Sequence, residues 1–191
     1  MTELILNQIL NFILHYKKLD AGNIKIYTYG IHLILSDLSN FLIILVPSLF
    51  LHKVNVGITF IAIFCLIRRY SGGYHCSSNL RCNMTYLMIY LTMLYMLQQP
   101  NIVNNQKVDI LFYLSSIFIM LLAPVSRNRY FNGKTFKKNK VLTIIGVLIT
   151  ILFKGSANKE YSFAIAYIVI FVFILILVEL IFRRWKNETY S

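Results

Sequence analysis

Residues 161–182 read YSFAIAYIVIFVFILILVELIF, from Tyr161 to Phe182, and carry one charged side chain, Glu179. About 20 apolar residues in a helix cross a bilayer core. A single segment in lipid satisfies its own backbone N–H and C=O groups only as a helix. This run therefore sets the class: an all-α integral membrane protein.

Working outward from that run, five further apolar stretches stand out, at residues 31–51, 54–67, 83–98, 108–125 and 141–153. The expectation is a polytopic helical bundle of about six transmembrane or re-entrant segments. Stretches 54–67 and 141–153 are short for a span, so four spans is the fallback count. With six spans, segments 1–30, 68–82, 126–140 and 183–191 share one side. They hold fifteen Lys and Arg, and the opposite side holds four: Lys53, Lys107, Lys154 and Lys159. The positive-inside rule then puts the basic side, and with it both termini, in the cytoplasm. The localisation expected is the cell membrane, multi-pass.

Composition agrees. Of 191 residues, 58% are hydrophobic and 14% charged, and the mean hydropathy is +0.65. A soluble domain carries about a quarter charged residues. The net charge of +12 could suggest nucleic acid, but basic residues crowd the cytoplasmic ends of membrane helices, so the lipid bilayer is the expected partner and no nucleic acid is. Three cysteines, Cys65, Cys76 and Cys82, are expected as thiols. No signal peptide is expected, because Lys17 and Lys18 follow the first apolar residues instead of preceding them. Within the N-terminal segment 1–30, Leu4, Ile5, Ile9, Phe12, Ile13 and Tyr16 fall at helical spacing among Asn7, Gln8, Asn11 and His15. That pattern predicts an amphipathic helix lying in the interface, as an anchor or as a grip on substrate. No internal repeat divides the chain, and 1–191 reads as one membrane domain.

The chemistry concentrates in the polar loop 68–82, Arg68-Arg69-Tyr70-Ser71-Gly72-Gly73-Tyr74-His75-Cys76-Ser77-Ser78-Asn79-Leu80-Arg81-Cys82. A cysteine nucleophile needs a base within hydrogen-bond reach. On one straight helix His75 and Cys82 would stand about 10.5 Å apart along the axis. A dyad therefore requires the loop to fold back, which Gly72-Gly73 and Ser77-Ser78-Asn79 permit. Ser78 or Asn79 suits an N-cap, and Cys82 would then sit in a helix's first turn, where the helix terminus and Arg81 favour the thiolate. Cys76, adjacent to His75, ranks below Cys82. On residue types alone the same loop also reads as a basic cytoplasmic turn that sets topology. A structural zinc site wants four ligands, and His75, Cys76 and Cys82 lack a fourth at a suitable spacing, so no metal is expected.

This loop resembles the signature of the accessory gene regulator B (AgrB) family, membrane endopeptidases of quorum sensing. The family's Arg, Gly, His and Cys fall on Arg68, Gly73, His75 and Cys82, with seven residues from His to Cys. Leu122-Ala123-Pro124-Val125 running into a basic loop is a weaker likeness. The resemblance implies a cysteine endopeptidase without cofactor, with His75 as base and Cys82 as nucleophile. Its substrate would be a small AgrD-type propeptide, whose C-terminal tail leaves as a Cys82 thioester forms. Cyclisation to a thiolactone or lactone autoinducing peptide would follow. Arg68 would bind a substrate carboxylate or brace the loop, and Gly73 would support it. Arg127, Arg129, Lys134, Lys137, Lys138 and Lys140 would attract the propeptide's acidic tail, or simply obey the positive-inside rule. The resemblance is compatible with a homodimer.

Asp37, within stretch 31–51, is the candidate third catalytic residue, orienting His75, or else an interfacial carboxylate paired with a Lys or Arg. Glu179 precedes Arg183 by one helical turn and reads as a local ion pair. The alternative function is a small membrane transporter or peptide exporter without hydrolytic activity, which would use Asp37 and the short segments as a path. A transporter does not require a His and a Cys in one loop.

Overall fold

The computed structural model describes Gln8, Phe12 and residues 21–74, 79–125 and 133–188. Among these residues the chain is all helical, with no strand and seven helices. They are α1 (Ala21–Phe50), α2 (Val54–Ser71), α3 (Asn79–Leu97), the single turn α4 (Pro100–Val103), α5 (Gln106–Leu122), α6 (Gly133–Ser156) and α7 (Lys159–Glu188). Each of the six apolar stretches falls in a helix of its own, with residues 51, 98 and 123–125 lying just past the helix ends. The two short ones lie in helices of 18 and 24 residues, because each continues through polar turns that hydropathy does not mark: Arg68–Ser71 at the end of α2 and Gly133–Lys140 at the start of α6. Gln8 and Phe12 are helical and exposed, and residues 21–30 form the first turns of α1. The rest of the expected amphipathic helix lies outside the described residues.

α7 is the centre of the bundle, packed against α2, α3, α4, α5 and α6. Phe163 through Val169 are buried without interruption, as befits a helix apolar on every side. Ala164 and Ala166 within that run let neighbouring helices approach. Around it, Phe60 of α2 meets Tyr86 and Tyr90 of α3 edge-on or tilted, with ring centroids 5.2 Å away in both cases. The hydroxyls of Tyr90 and Ser48 are 2.7 Å apart, tying α3 to α1, and those of Thr92 and Tyr167 are 2.7 Å apart, tying α3 to α7.

The bundle is inside-out by the standard of a soluble protein. On α5, Ile110, Tyr113, Leu114, Ile117, Phe118 and Leu121 are exposed while Ser115 and Ser116 are buried. An apolar surface of that extent is what lipid covers. By length and composition two helical segments, Val54–Ser71 and Lys159–Phe182, can cross a membrane, and only 33% and 39% of them is buried inside the chain. A core helix of a soluble protein would be mostly buried, so these faces belong against membrane.

The end of the bundle where α1 turns into α2 and α6 into α7 is stitched by ion pairs. Lys53 bonds Glu160, and Lys154 Nζ donates to Asp109 Oδ1 at 2.6 Å. Lys154 is 9% exposed and also lies over the Phe112 ring, 5.2 Å from its centroid. Two of the four Lys of that side, Lys53 and Lys154, thus have ion-pair partners, beyond any role in topology.

Candidate active site

The opposite end holds the loop that follows α2. Helix α2 ends at Ser71 because Gly72 adopts φ +72° and Gly73 φ +108°, values that favour glycine. A Cβ at Gly72 would overlap the Val125 carbonyl, and one at Gly73 would overlap the Arg68 guanidinium and come within 3.3 Å of the Leu175 carbonyl oxygen. Glycine is required at both positions by backbone angle and by space.

Every backbone N–H from Gly72 to Tyr74 has an acceptor. Gly72 N–H donates to Arg68 O at 3.2 Å, Gly73 N–H to Val125 O at 2.6 Å and Tyr74 N–H to Leu175 O at 3.0 Å. Val125 N–H returns a bond to Ser71 O at 2.8 Å, so Gly72 and Val125 form an isolated parallel bridge. The Leu122-Ala123-Pro124-Val125 stretch noted in the sequence is thus the partner of the glycine loop: α5 stops, Ala123, Pro124 and Val125 turn inward and are buried. The Ala123–Pro124 peptide bond is cis.

Arg68 closes the arrangement. Its Nη1 donates to the Gly72 carbonyl and its Nη2 to the Tyr74 carbonyl. Two parallel donors in a fixed fork suit two carbonyls one turn of loop apart. Both terminal nitrogens of Arg68 thus reach carbonyls of the loop that follows its own helix. The Tyr74 ring stacks on Phe182 of α7, centroids 5.5 Å apart. The loop is therefore held by α2, by the segment after α5 and by α7 up to the residue before His75.

His75 and Cys76 lie outside the described residues. Cys82 is the fourth residue of α3, half-buried, and neither it nor Cys65 is in a disulfide. Its position in the first turn is the one expected to favour a thiolate, near backbone N–H groups that lack helical acceptors. Asp37 is in α1, and its side chain lies outside the described ones. The three-residue turn 51–53 sets the ends of α1 and α2 side by side. By helical rise Asp37 stands about 20 Å from its end and Arg68 about 21 Å from its own, so the two are level.

Glu179, read from sequence as a local ion pair with Arg183, is 1% exposed, and its Oε1 has no hydrogen-bond partner among the described residues. The Arg183 side chain lies outside them. Lys140 Nζ donates to Leu121 O at 2.6 Å, capping the end of α5, while Lys134, Lys137 and Lys138 are exposed along the first turns of α6. Among the described residues no three His, Cys, Asp or Glu side chains cluster to hold a metal.

Sequence reasoning noted Val125 only as the end of the Leu122–Val125 stretch, not as the loop's partner, and missed Leu175 and Phe182 as parts of this site. Val125 and Leu175 act through backbone atoms, which leave no residue-type signal. Phe182 is one of many aromatics in an apolar run.

Comparison with curated proteins and with solved structures gave no match. The family model described as Accessory gene regulator B matches residues 6–181, nearly the whole chain. The chain therefore belongs to the accessory gene regulator B family, membrane-associated proteins that take part in processing a quorum-sensing propeptide.

Proposed function

We propose that this chain is a membrane-embedded cysteine endopeptidase that removes the C-terminal tail of an AgrD-type propeptide and closes the remaining peptide into a thiolactone or lactone. The observation that carries the reading is the glycine loop. It is pinned on three sides up to Tyr74, and the segment it delivers runs from His75 to Cys82 in the first turn of α3. A dyad needs a base whose backbone does not wander relative to its nucleophile.

In the first step the His75 imidazole takes the proton of the Cys82 thiol, and the thiolate attacks the carbonyl carbon after the last residue of the future ring. The C–N bond breaks, the tail leaves as an amine carrying the proton from His75, and a thioester to Cys82 remains. In the second step an internal Cys or Ser of the peptide attacks that thioester, giving its proton to His75. The new thioester or ester closes the ring, and Cys82 leaves as the thiolate and is reprotonated. Thiol–thioester exchange conserves acyl activation, so a thiolactone retains what the first step stored. Amide to thioester is uphill, and removal of the tail helps to drive it. Water would give a linear product, and a site against the membrane limits it.

The proposed topology is six spans with the loop 68–82, the basic start of α6 and both termini in the cytoplasm. Lys134, Lys137 and Lys138 then form an exposed cationic stripe on the side where an acidic tail arrives. Asp37, level with Arg68, stands at the same end.

The test is co-expression with a tagged AgrD-type propeptide encoded nearby, comparing wild type with Cys82→Ala, Cys76→Ala and His75→Ala by gel and mass spectrometry. Loss of tail release in Cys82→Ala and His75→Ala, with Cys76→Ala active, supports the dyad. Normal processing by Cys82→Ala would sink it, and a wild type that cleaves no such peptide favours the transporter reading.

A further inference from the structure

A cleft of about 360 Å³ opens between α2, α6 and α7, at the end of the bundle away from the glycine loop. Asn55 and Tyr161, in the first turns of α2 and α7, bring an amide and a phenol to its rim. Thr59, Ile58 and Ile165 stand about one turn deeper, and Phe153 comes from the last turn of α6. Ile58 and Phe153 are exposed, so the cleft opens onto the apolar surface that lipid covers. Its rim is cationic. Lys53 and Glu160 pair with each other, so their charges offset. Lys159, the first residue of α7, is exposed and has no carboxylate partner among the described residues. Two long helices also start here, each with first-turn N–H groups that lack helical acceptors, and no side chain caps α2. The end of α6 does not offset them, because its carbonyls are taken: Ala157 N–H donates to Lys154 O at 3.4 Å and the Ser156 hydroxyl to Phe153 O at 3.2 Å. Helix starts beside a free cation favour an anion, above all a phosphate.

We propose that this cleft binds one anionic phospholipid of the adjoining leaflet, which is the outer one in the six-span topology. Its phosphate lies at the rim with Lys159 and the two helix starts. Its glycerol esters meet Asn55, Thr59 and Tyr161, and the top of an acyl chain runs along Ile58 and Ile165. Each alternative leaves part of the cleft unanswered. A free phosphate meets the rim but not the apolar wall. A neutral lipid covers the wall but leaves the cation and the helix starts without a counter-charge. Basic pockets between membrane helices hold anionic headgroups by this combination. Bound there, the lipid joins the start of α2 to the turn between α6 and α7, alongside the Lys53–Glu160 pair. The site makes no use of the dyad and stands whether or not the dyad does.

Lipid binding is measured on the full chain in detergent, by native mass spectrometry and thermal melts. The probes are dioleoyl phosphatidylglycerol, dioleoyl phosphatidylcholine and free glycerol phosphate. The expected result is a phosphatidylglycerol molecule held in the cleft with a raised Tm, bound about fivefold or more tighter than phosphatidylcholine, and no competition from glycerol phosphate. Ile58→Trp puts an indole into the cleft from an exposed position and should abolish that binding. Lys159→Gln, also at an exposed position, should weaken it about fivefold. Lys107→Gln, on α5 at the same end but outside the cleft lining, should leave it unchanged. Melts without lipid check that each variant folds, and where Ile58→Trp does not, Lys159→Gln decides alone. Wild-type binding in either folded variant overturns the proposal, as does equal affinity for the two lipids. Competition by glycerol phosphate would make this a soluble-phosphate site and overturn the lipid assignment. An equal loss in Lys107→Gln would show that the basic end as a whole attracts lipid, and would overturn the cleft as its site.

Discussion

The guanidinium of Arg68 holds the carbonyl oxygen of Tyr74, the residue immediately before His75, while its other terminal nitrogen holds Gly72. One side chain thus fixes both edges of a two-glycine turn from the helix that precedes it. Lysine offers one ammonium where Arg68 offers a rigid fork. Arg68→Lys should therefore leave the bundle folded and inserted but reduce tail release by about tenfold to a hundredfold, since charge-assisted bonds to two carbonyls are each worth roughly 1.5–3 kcal/mol. Matching rates for Lys and Arg at equal expression would show that charge alone is needed.

Gly72 and Gly73 should not tolerate alanine. The cost of positive φ for an L-residue is about 1–2 kcal/mol, and overlap with the Val125 carbonyl or the Arg68 guanidinium adds to it. Gly73→Ala should abolish tail release, because it displaces the brace itself. Gly72→Ala should also detach the Ala123–Val125 segment, seen as faster proteolysis between α5 and α6 in detergent. Both variants at wild-type activity would contradict the geometry.

Val125 gives a test through the backbone alone. Its N–H donates to Ser71 O and its carbonyl accepts from Gly73. Val125→Ala keeps both bonds and should keep most activity. Val125→Pro removes the donor and should cost about 1–3 kcal/mol with loss of tail release. Equal effects of Ala and Pro would mean that the side chain, not the ladder, matters.

These contacts explain what the sequence could and could not disclose. Six helices were legible because apolar length is a composition property, readable without knowing partners. Their ends were not: α2 runs on through Arg68–Ser71 and α6 begins at Gly133, since a helix continues through charged turns at little cost. Within the site, Arg68 and Gly73 were legible from local spacing. Val125 and Leu175 were not, because they meet the loop through main-chain atoms of residues distant in sequence. Glu179 was noticed as a charge in an apolar run and read as a local ion pair with Arg183, and one-turn spacing alone did not disclose that its side chain is buried. Local spacing reports neighbours on one helix and is blind to a third element laid across them.

The far end offers a prediction that should leave the chemistry untouched. Lys154 is nearly buried and Asp109, its partner at 2.6 Å, is half-exposed. Removing Asp109 leaves an ammonium in an apolar setting without its counter-charge, whereas replacing Lys154 by methionine leaves a carboxylate that water can still reach. Asp109→Ala should therefore destabilise by about 1–3 kcal/mol, Lys154→Met by less than half of that, and the double variant should recover most of the loss. Thermal melts of the four proteins in detergent give the cycle. Because the pair lies at the end of the bundle away from Gly72–Gly73, tail release per folded molecule should be the same in all four. A double variant as unstable as Asp109→Ala would show that the two side chains are not coupled, and a loss of turnover in any of them would place this end of the bundle within the working site.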